Sequence, residues 1–279
     1  MPGNMLGFAH AIRKGERPVP LLQDYDSKGN EYLVPGLKLD PYPGEMTVSQ
    51  LLPGDVLVWY ESQAGKTHDL IRETTQGPYT HTGIYIGNGQ SVDAGPNGVS
   101  CEQVADLINA FEVGDVMRYV GLDDERKAKI VDQALRFVGY EYAWRDAIEM
   151  TFRRDYHWRK SRAYSGEPDW TVRGAIGKWL IERRKQNGPP DRATYCSQMV
   201  IEAYANEVLI EPDVVASGVY SPNDLLGPDI FQYQGYLFKK QVPKYHPLSI
   251  NADILQTVST RAWTGSWLRF LRACLRTRK

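Results

Sequence analysis

Two short segments far apart in the chain contain a histidine and a cysteine in settings that suit nucleophilic catalysis. His81 lies in residues 79–87, where alternating side chains predict a strand, and Cys196 lies at the predicted start of a helix. A cysteine acts as a nucleophile in its thiolate form, which a neighbouring base and a helix N-terminus both favour. We therefore predict Cys196 as a nucleophile and His81 as its base, although either residue alone is more often structural.

The predicted helix that follows Cys196 has a plausible cap and a buried face. Thr194 is the predicted N-cap, which would place the thiol in the first turn beside free backbone N–H groups. The apolar face starts three residues later and consists of Met199, Val200, Ala203 and Tyr204.

Asp93 is the candidate third member that would orient the base. A three-residue loop at 87–89 would pair Gly83 with Asp93 and place the carboxylate on the strand face of His81. A two-residue Asn-Gly turn would move Asp93 to the opposite face. From the sequence, an orienting role and an ordinary carboxylate near a turn are equally supported.

Tyr142 lies in residues 139–144, directly after a predicted helix. Its phenol would donate a hydrogen bond to a developing oxyanion together with the Cys196 N–H, whereas spacing alone favours an aromatic core residue. We also interpret four side chains as candidate substrate contacts: Tyr195, Ser197, Arg154 and Trp158.

The elements that must position these residues indicate an α+β fold. Strands are predicted at residues 55–60, 79–86, 91–94, 114–120 and 231–239. A helix capped by Asp123 is predicted to bury a stripe formed by Val131, Ala134, Leu135 and Val138. Residues 221–225 are typical of a turn that opens a short helix.

Three further regions flank or interrupt this pattern. Residues 1–47 are rich in proline and glycine and predict an extended arm that packs on the body. Residues 145–190 form a basic and aromatic insertion, helical around 175–184. Residues 241–279 form a basic amphipathic tail, helical from residue 253, and the catalytic domain between arm and tail spans 48–240.

Composition excludes several classes of protein. The 279 residues have a net charge of -1, which gives no global field for nucleic acid. Cys101, Cys196 and Cys274 lack the spacing of a disulfide framework or a zinc site, so we predict no metal and no cofactor. Neither a signal peptide nor an apolar run of about 18 residues is visible. A cytoplasmic location is the default expectation, with signal-independent export as the alternative.

Together these motifs resemble the NlpC-type cysteine peptidases, a papain-like family, in circularly permuted order. The strand motifs at 81–85 and 92–94 come first, and the segments at 139–144 and 195–197 follow. Asp55 matches the Gly-Asp strand that precedes the histidine, and residues 221–225 are similar to a late segment of permuted members. The resemblance covers about residues 48–240.

The resemblance implies a papain-like NlpC-type fold, with an antiparallel sheet packed against helices and a helical insertion. It implies that Cys196, His81, Asp93 and Tyr142 form the site of a thiol hydrolase that cleaves amide bonds, with peptidoglycan stem peptides or similar small peptides as substrates. Two features depart from the family: Asp93 replaces the usual His, Asn or Gln, and the insertion replaces a short loop. The insertion is either a lid or substrate wall, or a solvated addition.

Two other functions remain open from the sequence. Permuted relatives include lipid acyltransferases and thioesterases, and the tail, with Trp263 and Trp267 among arginines, would suit an anionic membrane surface. The third hypothesis is a non-catalytic binding module on a decayed enzyme scaffold. The intact histidine and cysteine argue against it. The sequence makes no prediction about oligomeric state.

Overall fold

The computed structural model describes residues 45–61, 71, 79–111, 113–119, 121–162, 172–188, 190–205, 207, 218–226 and 231–239. The strands are β1 Val56–Tyr60, β2 His81–Gly87, β3 Gln90–Gly95, β4 Gly98–Gln103, β5 Val113–Arg118, β6 Glu141–Tyr142, β7 Ala193–Thr194 and β8 Gln232–Phe238. The α-helices are α1 Val104–Ala110, α2 Asp124–Arg136, α3 Trp144–Arg162, α4 Val172–Asn187 and α5 Cys196–Ala205. A 3-10 helix, Pro222–Leu226, precedes β8.

Six strands form one antiparallel sheet in the order β4-β3-β2-β1-β5-β8. The two short strands β6 and β7 form a separate parallel pair, in which Tyr142 lies opposite Thr194. The predicted α+β class, with an antiparallel sheet packed against helices, is therefore confirmed for the described residues. The predicted strands also recur close to their expected bounds, because alternating burial and turn residues are local signals.

The β2–β3 hairpin differs from the predicted three-residue loop. Gly87 pairs with Gln90, so the loop contains two residues, Asn88 and Gly89. Both have positive φ, at 51° and 75° respectively, which is typical of a type I′ turn. The loop-length prediction was wrong because an Asn-Gly pair adopts this tight turn readily.

A bulge in β2 nevertheless restores the expected register. The pairing shifts between Tyr85 and Gly87, so Ile86 is an extra residue on this strand. Gly83 therefore still pairs with Asp93, as predicted. Without the bulge, the two-residue turn would have placed the carboxylate on the other face of the sheet.

Each face of the sheet has its own apolar core. One face packs against α2 and α5 through buried residues that include Val56, Val58, Ile84, Val92, Ile130, Met199, Val200 and Ala203. The other face packs against α1 through Leu57, Trp59, Tyr85, Val104, Leu107 and Val116. The predicted buried face of the cysteine helix is confirmed, since Met199, Val200, Ala203 and Tyr204 are all fully buried.

Helix α2 begins as predicted but buries a narrower stripe. The Asp123 carboxylate accepts a hydrogen bond from the Arg126 N–H at 2.8 Å, which is an N-cap contact. Ile130 and Ala134 are fully buried, whereas Leu135 and Val138 are each 40% exposed. The predicted buried stripe was therefore partly wrong. Only one edge of the helix packs on its neighbours, α5 and β2.

The insertion consists of two helices, α3 and α4, that pack on each other. It is more helical than predicted, and its contact with the body contains buried charge. Arg153 lies 2.9 Å from the Asp146 carboxylate and donates from Nε to the Gly218 carbonyl at 2.9 Å. Arg184 lies 2.6 Å from the other carboxylate oxygen of Asp146. Both ion pairs lie within the insertion, where buried charges require partners, and the hydrogen bond from Arg153 to Gly218 joins the insertion to the body.

The predicted arm and tail lie almost entirely outside the described residues. Of the arm, residues 45–47 are described: Glu45 forms a bridge with Tyr236, and the Met46 N–H donates to the Tyr236 carbonyl at 2.7 Å. The loop at 62–70 and 72–78 and the tail at 241–279 are not described. Among the helices that are described, none has the length and apolar character needed to cross a membrane.

Candidate active site

Cys196 is the first residue of helix α5. The Met199 N–H donates to the Tyr195 carbonyl at 2.9 Å, which makes Tyr195 the N-cap residue. Thr194, the predicted cap, instead ends β7, and its hydroxyl donates to the Tyr195 carbonyl at 3.4 Å. The thiol therefore lies in the first turn as expected, where the helix dipole favours an anion.

His81 is the first residue of β2 and contacts both of its predicted partners. Its Nε2 lies 2.8 Å from Oδ1 of Asp93, and its ring lies close enough to the Cys196 side chain for that group to raise the pKa of His81. Because Nε2 contacts the carboxylate, Nδ1 is available to the sulfur. The ring stacks on Phe111 with 5.4 Å between centroids and an interplanar angle of 5°. These contacts fix the orientation of the imidazole.

Asp93 is buried and has two hydrogen-bond partners. It is 3% exposed, and its second carboxylate oxygen accepts a hydrogen bond from the Ser91 hydroxyl. Its carboxylate lies over Gly83, in the space that a Cβ on that residue would occupy. Gly83 therefore leaves the room that the Asp93 side chain occupies.

The environment of His81 favours its protonated form. Burial alone would lower the pKa of His81, but the hydrogen bonds and negative charges of Asp93 and Cys196 outweigh burial and raise it to about 10. At neutral pH the ring is therefore an imidazolium placed between a carboxylate and a sulfur. An imidazolium beside a cysteine stabilises the thiolate form.

Tyr142 also contacts the thiol. Its hydroxyl lies close enough to the Cys196 side chain for that group to raise the pKa of Tyr142. Tyr142 on β6 pairs with Thr194 on β7, two residues before Cys196. Burial and the charge of Cys196 raise the pKa of Tyr142 well above its ordinary value, so the phenol stays neutral and can donate. Its ring packs against Trp144 at 4.6 Å between centroids.

The structure brings together the four predicted catalytic residues, but it gives three of the predicted substrate contacts other partners. Tyr195 is 1% exposed and hydrogen-bonds Arg153. The Ser197 hydroxyl is buried and donates to the Tyr220 carbonyl at 2.7 Å. Arg154 is buried and pairs with Asp224. These contacts indicate structural roles, because the polar groups are engaged inside the protein.

The side chain of Trp158, the fourth predicted substrate contact, lies outside the described residues. Among the side chains that are described, no group of three or more His, Cys, Asp and Glu residues is arranged to hold a metal ion.

Several residues around the site were missed by sequence reasoning. Ser91 was detectable, because residues two apart on a strand share a face and Ser91 precedes Asp93 by two. Phe111 was not detectable, because it reaches the site region through tertiary contacts with no local pattern. Asn223 lies in residues 221–225, which the sequence singled out, but nothing in the sequence indicated its contact. Asn223 pairs with the backbone of Tyr79, 144 residues earlier in the chain.

The sequence matches no protein-family model, and no curated protein shows significant similarity to it. Functional inference therefore rests on the geometry of the site. A thiol, an imidazolium and a carboxylate in series, with a neutral phenol beside the sulfur, can perform nucleophilic attack on a carbonyl and stabilise the resulting oxyanion.

Proposed function

We propose that this chain is a thiol hydrolase that cleaves amide bonds through a thioester intermediate. The observation that supports this most strongly is the position of His81, which lies 2.8 Å from the Asp93 carboxylate and close enough to the Cys196 side chain for that group to raise its pKa. Nucleophilic sites are typically a nucleophile, a base and a third group that orients the base. Peptidoglycan stem peptides or similar small peptides are the proposed substrates.

We propose a circularly permuted papain-like architecture of the NlpC type for the same residues. The chain order supports it: the strands with His81 and Asp93 precede β6 with Tyr142, and the helix with Cys196 comes last. The antiparallel sheet packed by the cysteine helix is compatible with that architecture. The insertion α3–α4 separates Tyr142 from Cys196 along the chain, while the β6–β7 pair keeps them adjacent in space.

In the proposed reaction, the Cys196 sulfur attacks the carbonyl carbon and forms a carbon–sulfur bond. The backbone N–H of Cys196 and the Tyr142 hydroxyl donate to the oxyanion of the tetrahedral intermediate. The carbon–nitrogen bond then breaks, and the His81 imidazolium gives its proton to the leaving amine. The neutral imidazole next accepts a proton from water, which attacks the thioester and releases the acid and the thiolate.

The test is hydrolysis of defined stem peptides, followed by mass spectrometry of the products. Cys196→Ala and His81→Ala are expected to lower kcat/KM by roughly 10³-fold or more, as removal of a nucleophile or its base does. Asp93→Ala is expected to have a smaller effect. Cys101→Ala is the matched control, because Cys101 is a free, exposed cysteine on β4 and should be dispensable.

Turnover that persists in Cys196→Ala would contradict the nucleophile assignment. Incubation with lipid extracts in parallel separates the peptide substrate from the lipid acyl alternative. If a thioester forms only with lipid acyl groups, the result supports a lipid acyltransferase or thioesterase that uses the same site, and it contradicts the amidase.

A further inference from the structure

A short buried segment, residues 220–224, contacts both elements that hold the proposed nucleophile and base. It includes the start of the 3-10 helix Pro222–Leu226 and follows α5 in the chain. Tyr220, Ser221, Asn223 and Asp224 are all 5% exposed or less. We refer to residues 220–224 as the bridging segment.

One end of the bridging segment fixes the backbone just before His81. The Asn223 Nδ2 donates to the Tyr79 carbonyl at 2.9 Å, and the Tyr79 N–H donates to Asn223 Oδ1 at 3.0 Å. This paired contact satisfies both backbone groups of Tyr79, as a neighbouring strand would. Both hydrogen bonds lie two residues before His81, the first residue of β2.

The other end fixes the first turn of the cysteine helix. Ser197, the residue after Cys196, donates from its hydroxyl to the Tyr220 carbonyl at 2.7 Å. Ser197 is fully buried, so this contact is shielded from water. The first turn of α5 and the start of β2 are thereby joined through four residues of the bridging segment.

A third contact anchors the bridging segment to the insertion. Asp224 accepts hydrogen bonds from Arg154 Nε at 2.8 Å and Arg154 Nη2 at 2.6 Å, a bidentate pairing. Asp224 also accepts from the N–H and the hydroxyl of Ser221, at 2.8 Å and 2.6 Å. These contacts hold the 3-10 turn rigidly, since both carboxylate oxygens are engaged.

We propose that the bridging segment sets the separation between the Cys196 thiol and the His81 imidazole, with Asn223 as its positioning residue. This inference rests on the proposed function, because it assigns the segment a role in that site. Asn223 acts through the backbone of Tyr79. A displacement of about 1 Å between reacting groups can cost about 100-fold in rate, so such a contact matters to catalysis.

The test measures the alkylation rate of Cys196 by iodoacetamide between pH 5 and 10, which requires no substrate. In the wild type, Cys196 is expected to react faster than Cys101 near neutral pH because an imidazolium lies beside its sulfur. Asn223→Ala is expected to slow the reaction at pH 6.5 by about 10-fold to 100-fold. The ratio of the Cys196 rate to the Cys101 rate across this pH range is expected to fall accordingly.

Leu237→Ala is the control for stability. Leu237 is buried on β8, which two strands separate from β2, and it lies outside the site, so its truncation is expected to destabilise the fold without moving the pH profile. If Asn223→Ala fails to fold by circular dichroism, Ser197→Ala tests the other end of the segment. That variant loses one hydrogen bond and is expected to shift the profile in the same direction by less.

The outcomes separate this inference from the proposed function. A folded Asn223→Ala or Ser197→Ala with a wild-type pH profile overturns the positioning role while the proposed function stands. A wild-type Cys196 that reacts no faster than Cys101 overturns the proposed function and the positioning role together.

Discussion

The contact between Asp93 and His81 depends on a residue with no side chain. The carboxylate of Asp93 lies directly over Gly83, its partner across the β2–β3 pair, and from there reaches His81. Any side chain on Gly83 would compete for the same space. The base is therefore oriented by the absence of a Cβ as well as by a hydrogen bond.

Gly83→Ala is expected to lower kcat/KM by about 100-fold while the protein remains folded, because the added Cβ would overlap the carboxylate and displace it. Steady-state hydrolysis of a stem peptide measures the effect. Gly95→Ala is the matched control on β3, where an added Cβ would meet no atom within 4 Å. Equal activity of the two variants would show that the position of Asp93 is unimportant.

The raised pKa of His81 gives a distinct pH dependence. Because the imidazolium is the proposed acid for the leaving amine and its pKa is about 10, kcat/KM should stay high until the pH approaches 10 and fall above it. Asp93→Asn removes a charge that raises this pKa, so the alkaline fall in kcat/KM should begin at lower pH. Asp132→Asn, on the exposed side of α2, should leave the pH of this fall unchanged.

Strands and helices meet at the site through their ends. The start of β2 and the first turn of α5 are the two ends that approach each other, and the bridging segment contacts both. The bridging segment is paired with α3 through Arg154 and Asp224. Side chains from the insertion therefore contact the segment that joins the two ends.

This pairing predicts a specific acid sensitivity. Burial would raise the pKa of Asp224, but the charge and hydrogen bonds of Arg154 and the hydrogen bonds of Ser221 hold it below its ordinary value of 3.8. The stabilisation is therefore complete above about pH 4 and is lost as the pH falls through the lower folded-state pKa. Urea unfolding from pH 6 to 2 should show wild type and Asp224→Asn converging below pH 4. A constant difference would contradict the assignment.

The insertion is joined to the rest of the described structure by two buried arginines: Arg154 pairs with Asp224, and Arg153 donates to the Gly218 carbonyl. Arg153 is 1% exposed and contacts the Asp146 carboxylate, the Asp146 carbonyl and the Gly218 carbonyl, each at 2.9 Å. It also hydrogen-bonds Tyr195, which directly precedes the thiol. The insertion is thus part of the structure around the site, which argues against the interpretation as a solvated addition.

Arg153→Met is expected to lower the free energy of unfolding by about 3–5 kcal/mol, because it leaves the buried carboxylate of Asp146 with one cationic partner fewer. Urea denaturation followed by circular dichroism measures the loss. Arg126→Met is the matched control: its pair with Asp123 lies at the surface, and exposed ion pairs contribute little. Similar losses in both variants would show that the buried cluster is not what stabilises the insertion.

The sequence alone determined five of the strands and the start of the capped helix α2, while β4, β6, β7 and α1 were not predicted. Alternation, N-caps and glycine-containing turns act over a few residues, so they can be read without a structure. His81 and Cys196 were proposed from such patterns, whereas the roles of Asp93 and Tyr142 depended on the family resemblance. The Gly83–Asp93 register was also foreseen, although for a loop length that the hairpin does not have.

Only the tertiary structure decided how these residues meet. A bulge at Ile86 compensates for the two-residue turn, and Asn223 pairs with Tyr79 across 144 residues. The burial of Tyr195 and Arg154 likewise depends on where the insertion packs. Such contacts are set by the packing of distant elements and by the cost of burying unpartnered charge, and neither leaves a periodic pattern in the chain.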